Sequence, residues 1–422
     1  MSSNTYKFAA SVIRRSDAKR GSIKSLVFNS TCAQKKKIYA LVCETLKNRS
    51  LLQEVLDDSK LSSMEPKLTP SLALVLLYDF LLGKGICCGG PLKRMIHKHK
   101  TNLKETFLEI SSREISAPVA TITPASTLPR YVRINSLKMN DKEAIERFTH
   151  LGYTYREPSD KVMRRRKCDG TLSMTFHSDF DLPNVLVFPP GTDVTKTDLY
   201  TKGTIFLQDK ASCIPAYVLD PPPGSIVIDA CAAPGNKTTH LSAITRDKGQ
   251  IFAFDHDAKR LEALKNMVHK SGATCVKVQL ADFLKINPMD YKTVEYILLD
   301  PSCSGSGITN RDDHLTTHTT QDSRQKRLRS LSAFQYKILC HALKFPNVRR
   351  VVYSTCSIYP EENELVIQAA LKKNKDFKLV GFMPQWKQRG LPIFKEAELC
   401  LRASPEINHT SGFFVAKIER IP

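Results

Sequence analysis

No uninterrupted apolar run in this chain is long enough to cross a membrane. The most apolar stretch, Ser71 to Cys88, is broken by Asp79 and Lys84. A buried helix is expected there rather than a span of about 20 apolar residues, and no membrane partner is expected. The first twenty residues hold no apolar core followed by a small-residue cleavage site, so no secretory leader is expected. The twelve cysteines include no C-x-x-C pair, and Cys87 and Cys88 are adjacent, a poor spacing for shared zinc coordination. Neither disulfides nor a bound metal is expected, and most of these thiols should be small buried apolar groups. Acids are scarce too. Against 63 Lys and Arg stand 42 Asp and Glu, a net charge of +21. That excess favours a polyanionic partner, nucleic acid first among them, over a merely solvated basic surface.

What is present divides into three parts, more than one ordinary domain for 422 residues. Residues 1–110 read as a basic helical domain, with apolar residues at helical spacing through Ile38–Leu46, Leu51–Leu56 and Leu72–Leu82. Its first fifty residues carry eleven Lys or Arg and two acids, and Lys93, Arg94, Lys98 and Lys100 follow. RNA docking and plain packing both remain open for it. Residues 111–200 begin with the Pro-, Ser- and Thr-rich stretch Ala117 to Pro129, a linker candidate. They continue as a small α+β domain of RNA-recognition-motif type, with a strand at Tyr131–Asn135 and a helix at Asp141–His150. The run Arg164–Lys167 beside Cys168-Asp169-Gly170 reads equally as a phosphate-binding hairpin tip or a solvated loop.

Residues 201–422 alternate strand and helix. Strands are expected at Ser225–Asp229, Gln250–Asp255, Cys275–Leu280, Val294–Asp300, Arg349–Ser354 and Gly412–Ile418. Helices are expected at Thr238–Thr245, Ala258–Ser271 and Leu331–Lys344. Near-continuous apolar strands between amphipathic helices indicate a mostly parallel sheet covered on both faces. Ligands bind such sheets at the carboxyl ends of the strands, so the residues that end them matter most. The first strand ends in Asp229-Ala230-Cys231-Ala232-Ala233-Pro234-Gly235-Asn236-Lys237 before a helix. Small residues there admit close backbone approach, and the helix start offers N–H groups to a carboxylate. It is not the G-x-G-x-x-G dinucleotide fingerprint. Asp255 ends the second strand, where an acid suits ribose hydroxyls, and Asp282 follows the third, near where an adenine edge would lie. Three such acids at successive strand ends point to a nucleoside cofactor.

The run Asp229 to Leu241, the segment Leu299-Asp300-Pro301-Ser302-Cys303-Ser304-Gly305-Ser306-Gly307, the run Tyr353-Ser354-Thr355-Cys356-Ser357 through Glu361-Glu362-Asn363, and Gly203 to Ser212 together resemble the NOL/NOP/Sun family of RNA 5-methylcytosine methyltransferases. The resemblance covers about residues 125 to 420. The Pro-Ser-Cys-Ser-Gly-Ser-Gly form is most similar to its subfamily-five type, which implies large-subunit ribosomal RNA as substrate. The implied fold is a class I Rossmann-like methyltransferase domain, a mostly parallel seven-stranded sheet, behind a helical domain and a small α+β domain. Many members have Gly where Asn236 stands, and Asn is expected to preserve the loop by tolerating a left-handed backbone.

The implied cofactor is S-adenosylmethionine. Cys231, Ala232, Ala233, Pro234, Gly235, Asn236 and Lys237 would line it, Asp255 would hold its ribose, Asp282 would face its adenine, and Arg260 would support the pocket. Asp300 would contact both its methionine end and the target base. Cytosine C5 is a poor nucleophile until a thiolate adds to C6, which makes covalent catalysis the expected route. Resemblance assigns the attack to Cys356 and product release to Cys303, with Lys237 near the thiolate and Asp300 bonding the cytosine at N3 or at its exocyclic amine. The polar segment Asn310 to Ser330, with Arg311, Arg324, Lys326, Arg327 and Arg329, is expected to be a loop, either closing over RNA or a plain surface insertion. A nuclear, nucleolar monomer acting on RNA or a pre-ribosome is the implied setting. The alternatives are a non-catalytic ribosome-assembly factor and the same chemistry on transfer RNA.

Overall fold

The computed structural model describes residues 3–18, 20–21, 23–114, 128–158, 174–308 and 321–422. Most of the 117–129 stretch, the 164–170 basic run and residues 310–320 of the polar segment lie outside these. The described residues up to 114 form one compact unit and those from 128 onward a second. No helix among the described residues is long and apolar enough to cross a membrane.

The first unit is all helical: α1 (Ser3–Asp17), α2 (Ile23–Phe28), α3 (Lys35–Lys47), α4 (Arg49–Asp58), α5 (Leu61–Met64), α6 (Pro70–Leu81), α7 (Pro91–Lys98) and α8 (Lys100–Glu114). The apolar helix α6 begins at Pro70, whose missing N–H costs nothing in a first turn. Leu72 through Leu77 are buried there, as a helix apolar all round requires. Asp79, which the sequence shows only as a break in that run, is buried and accepts a hydrogen bond from the Tyr6 hydroxyl of α1. That hydroxyl also accepts the Cys87 N–H at 3.0 Å.

The second unit holds two sheets. The smaller contains β1 (Arg130–Ile134), β2 (Thr154–Tyr155), β3 (Thr175–Ser178), β4 (Val185–Phe188) and β5 (Ile205–Leu207), with α9 (Asp141–His150) between β1 and β2 and α10 (Asp198–Thr201) before β5. Its order is β2-β3-β4-β1-β5. A capping box closes the start of α9, Asn140 accepting from Glu143 N–H while Glu143 reaches back.

The larger sheet follows α11 (Lys210–Leu219). It comprises β6 (Ile226–Asp229), α12 (Asn236–Ile244), β7 (Gln250–Asp255), α13 (Ala258–Ser271), β8 (Val276–Leu280), β9 (Tyr296–Leu299), α14 (Gln321–Ala342), β10 (Arg350–Thr355), α15 (Glu364–Lys373), β11 (Phe377–Leu379), β12 (Leu401–Ala403) and β13 (Phe413–Arg420). The path β11-β13-β10-β9-β6-β7-β8 has seven strands, and β12 joins it beside β13, making eight. Pairing is parallel from β8 through β10 and antiparallel at β13. Strand order reverses between β6 and β9, which places the ligand crevice at their carboxyl ends. The expectation for α14 is corrected: it begins ten residues before Leu331, so residues 321–330 of the expected loop are helix.

Residues on β1 and just past β5 fasten the small sheet to the large one. Arg133, fully buried, donates to Gln208 Oε1 at 2.6 Å, to Thr239 Oγ1 at 2.9 Å and to the Asn236 carbonyl at 3.3 Å. Asn135 donates to the carbonyls of Gly203 and Ser271. Lys210 forms buried ion pairs with Asp179 at 2.9 Å and Asp181 at 2.6 Å. The segment Gly203 to Ser212 is therefore the joint between the sheets. Gly203 is required in it, since a Cβ would lie 2.1 Å from the Lys270 carbonyl oxygen and φ is +67°.

Candidate active site

The loop after β6 packs flat against α13. A Cβ on Gly235, where φ is +112°, would meet Leu264 and Met267 at 3.0 Å. The left-handed position is thus Gly235, and Asn236 is the first residue of α12, its carbonyl accepting from Arg133. The expected reason for tolerating Asn236 is corrected accordingly: a helical residue needs no left-handed freedom. Ala233 is gripped at both ends, its N–H donating to Asp255 Oδ2 at 3.2 Å and its carbonyl accepting Arg260 Nη2 at 2.6 Å. Arg260 also lies 3.4 Å from Asp255. Asp282 stands next to this pair in the fold, because Ala281 N–H donates to the Asp255 carbonyl at 3.1 Å. Its own side chain accepts the Leu284 N–H and caps a short 3-10 turn.

Lys237, in the first turn of α12, meets Asp300 at the end of β9, Nζ to Oδ2 at 2.6 Å. Ser354 of β10 donates to the other oxygen, Oδ1, at 2.7 Å. Lys237 also lies over the Phe413 ring, 5.5 Å from its centroid. Burial works to lower Lys237, yet Asp300, by charge and by hydrogen bond, together with Cys356, holds it above its ordinary value. It is a fixed cation at neutral pH.

The two cysteines, 53 residues apart in sequence, meet with their sulfurs 3.0 Å from each other. Cys303 is pushed well above the usual thiol range, first by its hydrogen bond to Cys356, then by burial, then by the charges of Cys356 and Asp300. That direction favours the protonated form of Cys303. Cys231, in the cofactor loop, is also pushed up, by burial and then by Asp229, Asp300 and Asp255. Lys237, which Cys356 helps to hold charged, and the Cys303 sulfur both act on Cys356.

The residues expected at the site from sequence lie at these strand ends, with Cys231 through Lys237 after β6, Asp255 ending β7, Asp282 after β8, Asp300 and Cys303 after β9 and Cys356 after β10, except Arg260, which reaches them from the first turn of α13. Sequence reasoning missed Ser354, Gln335 and the role of Glu362. Ser354 and Glu362 stand inside runs already singled out, but nothing local in Gln335 points to it.

Asp229 ends β6 fully buried. Oδ2 accepts the Thr238 hydroxyl at 2.7 Å, and Oδ1 has no partner among the described residues. Burial pushes it from 3.8 up to about 7, although Thr238 and Lys237 pull the other way. A folded-state pKa above the unfolded one gives a contribution fully present below pH 3.8 and lost as pH rises through about 7. Asparagine reproduces the neutral acid. Asp229→Asn is therefore expected to exceed the parent in unfolding free energy by a margin that widens from pH 5 to pH 8, toward about 4 kcal/mol in cofactor-free protein. Denaturant titrations of both proteins at the two pH values check this, and an equal margin at both would contradict it.

A mostly parallel sheet with acids at the carboxyl ends of β6 and β7 and after β8, and two converging cysteines beside them, defines a Rossmann-like RNA methyltransferase of the two-cysteine kind. Comparison with known proteins agrees. A family model described as 16S rRNA methyltransferase RsmB/F matches residues 216–419, and models for the N-terminal and ferredoxin-like domains of NOL1/NOP2/Sun domain family member 5 match residues 36–117 and 128–208. The chain is 44% identical to a 28S rRNA (cytosine-C(5))-methyltransferase of Mus musculus, over 98% of this chain and 90% of that one. It is 41% identical to the 25S rRNA (cytosine-C(5))-methyltransferase rcm1 of Schizosaccharomyces pombe, with the same coverage. Among solved structures, a methyltransferase homologue from Pyrococcus horikoshii is similar at a TM-score of 0.56 and 26% identity, over 88% of this chain and 99% of that one. The chain belongs to the NOL1/NOP2/Sun family of RNA cytosine-C5 methyltransferases, in its member-5 branch.

Proposed function

We propose that this protein methylates C5 of a cytosine in large-subunit ribosomal RNA through a covalent Cys356 adduct, with S-adenosylmethionine as donor. The observation that carries the reading is the sulfur pair at 3.0 Å beside the Lys237–Asp300 pair. The strand ends suit that cofactor: Asp229 Oδ1 is a buried acceptor open to a donor, and the small residues Ala232, Ala233 and Gly235 leave room for close approach. Cys231 to Lys237 would line it, with Asp255 at the ribose, Arg260 bracing Asp255 and Ala233, Asp282 at the adenine and Asp300 at the methionine end. When bound, S-adenosylmethionine supplies an electrophilic methyl group on a sulfonium.

The chain's residues then divide the work. Cys356 sulfur adds to C6, which shifts the C5–C6 electron pair onto C5 and makes that carbon the nucleophile. Lys237 and the Cys303 thiol favour the thiolate that begins this. Asp300 takes hydrogen bonds from Lys237 and Ser354, which presents its carboxylate as an acceptor. An acceptor suits the exocyclic amine of cytosine rather than N3, which itself accepts. A base supplied by solvent takes the C5 proton, the freed electron pair re-forms C5=C6, and the C6–S bond breaks; Cys303 stands 3.0 Å from the departing sulfur and assists its release. A base that reaches both sulfurs has left its stack, so unpaired or opened RNA is the substrate form. The setting is the nucleolus, with the protein acting as a monomer on RNA or a pre-ribosome.

Labelled S-adenosylmethionine offered with separated large-subunit ribosomal RNA and transfer RNA tests the reading. Label at cytosine C5 in the ribosomal fraction is expected. Label confined to transfer RNA would overturn the substrate, and none in either fraction, with the RNA bound, would favour a non-catalytic assembly role.

A further inference from the structure

The two cysteine loops converge on one carboxylate. Glu362, in the 3-10 turn Pro360–Glu362 before α15, is fully buried. Its Oε1 accepts the Ser304 N–H at 2.8 Å and Gln335 Nε2 at 2.9 Å. Its Oε2 accepts the hydroxyls of Ser304 and Ser357, each at 2.5 Å. Ser304 follows Cys303 in the chain, and Ser357 follows Cys356. Gln335, on α14, also donates to the carbonyl of Ser302, the residue before Cys303, at 3.0 Å. Ser306 completes the lattice: its Oγ lies 3.1 Å from that of Ser357 and accepts the Ile358 N–H at 3.0 Å. The main chain adds Gly307 N–H to the Cys356 carbonyl at 2.9 Å.

A buried carboxylate is costly unless its oxygens are satisfied, and here all four donors are neutral. Packing alone would be served more cheaply by an apolar side chain of the same volume. What the four bonds fix, and an apolar group could not, is the distance between two loops that meet across 53 residues of sequence.

We propose that Glu362 is a positioning residue: with Gln335 as its second arm, it clamps the loops so that the Cys303 thiol stays within hydrogen-bonding reach of Cys356. The inference rests on the roles given above to those two cysteines. Glu362 touches no reacting atom and acts through Ser304 and Ser357. Among the described residues, Asp300 after β9, Lys237 on α12 and Tyr353 on β10 are titratable groups that also act on the sulfurs, and the variants below leave all three unsubstituted.

The test is the pH midpoint for alkylation of Cys356 by iodoacetamide, followed on its own peptide by mass spectrometry in the full chain. Cys303→Ala is expected to raise the midpoint by about one pH unit, the effect of losing a hydrogen bond to a charged group. Glu362→Gln should raise it comparably, because an amide cannot accept all four donors. The double variant should shift no further than Cys303→Ala alone, since both changes break one contact. Gln335→Leu, which spares the carboxylate, should move the midpoint in the same direction by less, and it serves if Glu362→Gln does not fold. A wild-type midpoint in folded Glu362→Gln, or additive shifts in the double variant, would overturn the clamp. RNA adduct formation is scored separately. Midpoints that move as described while Cys356 forms no adduct leave the clamp standing and remove the mechanism instead.

Discussion

Cys356→Ala is expected to abolish methyl transfer, by about ten-thousand-fold or more, as loss of a covalent nucleophile does. Cys303→Ala should behave differently: it should complete one methylation and then remain joined to RNA in a denaturant-resistant adduct. The reasoning starts from the sulfurs, 3.0 Å apart. Only one of two such thiols can ionise readily. The neighbouring sulfur, then burial, then Asp300 push Cys303 up, and that, with the charged Lys237 acting on Cys356, favours Cys356 for the proposed role of thiolate. Addition to C6 and methylation need that thiolate alone, whereas departure of the sulfur needs the second thiol at the place where it leaves. Gel analysis in denaturant, with large-subunit ribosomal RNA and S-adenosylmethionine, separates the outcomes. An adduct in Cys356→Ala and none in Cys303→Ala would exchange the two roles.

How much of this could be read from the chain varied with the range of the interactions. The strand Gln250–Asp255 and the helix Ala258–Ser271 have the bounds expected of them. There the signals are local: an apolar run, then Asp257 accepting the Lys259 and Arg260 N–H groups as a cap, then Gly272 in the left-handed conformation at the far end. By contrast, the start of α14 at Gln321 is not legible, because its first ten residues, QDSRQKRLRS, include one apolar residue and show no periodicity to read. Helix α1 buries Tyr6, Ala9, Val12 and Ile13, yet much of its stripe is alanine and threonine, and it gives a weak signal. Strands β11 and β12 have three residues each and exist through pairing with β13, which sequence does not display.

The same division runs through the site. Asp229, Asp255 and Asp282 were legible because each closes or follows a strand within a few residues, and strand ends are where such sheets bind ligands; Asp300, Cys303 and Cys356 took their roles from the family resemblance. Arg133 was read as part of a strand only. Its partners are Gln208 and Thr239, 75 and 106 residues away, and its buried charge has no carboxylate to advertise the contact. Glu362 reaches Ser304 across 58 residues. A motif announces that its residues matter, and the three-dimensional contact says to what. Ser354 shows the point in small: unremarked inside its run, it supplies the second hydrogen bond that fixes Asp300.

Lys237→Met is expected to lower kcat/KM about a hundredfold at pH 7, with the loss shrinking as pH rises. Two effects combine. Removing the ammonium takes away an opposite charge that acts on Cys356, so the rising limb of the pH–rate profile should move up by about one unit. It also removes the donor to Asp300 Oδ2, leaving that carboxylate with the Ser354 hydrogen bond to Oδ1 and freer to misplace the cytosine. The first effect is recovered at alkaline pH, where Cys356 ionises unaided; the second is not. Asp300→Asn weakens the grip on the base directly, and it also removes the charge that holds Lys237 up against burial. Its own deficit should therefore be as large or larger and should persist at alkaline pH. The sign follows from Lys237 itself: Asp300 and Cys356 hold it above its ordinary value against burial, so it is charged at neutral pH. Profiles of kcat/KM from pH 6 to 9.5 for the parent and both variants decide the matter. Parallel profiles for Lys237→Met and the parent would mean that this lysine only orders the loop and Asp300, and that Cys303 alone favours the thiolate.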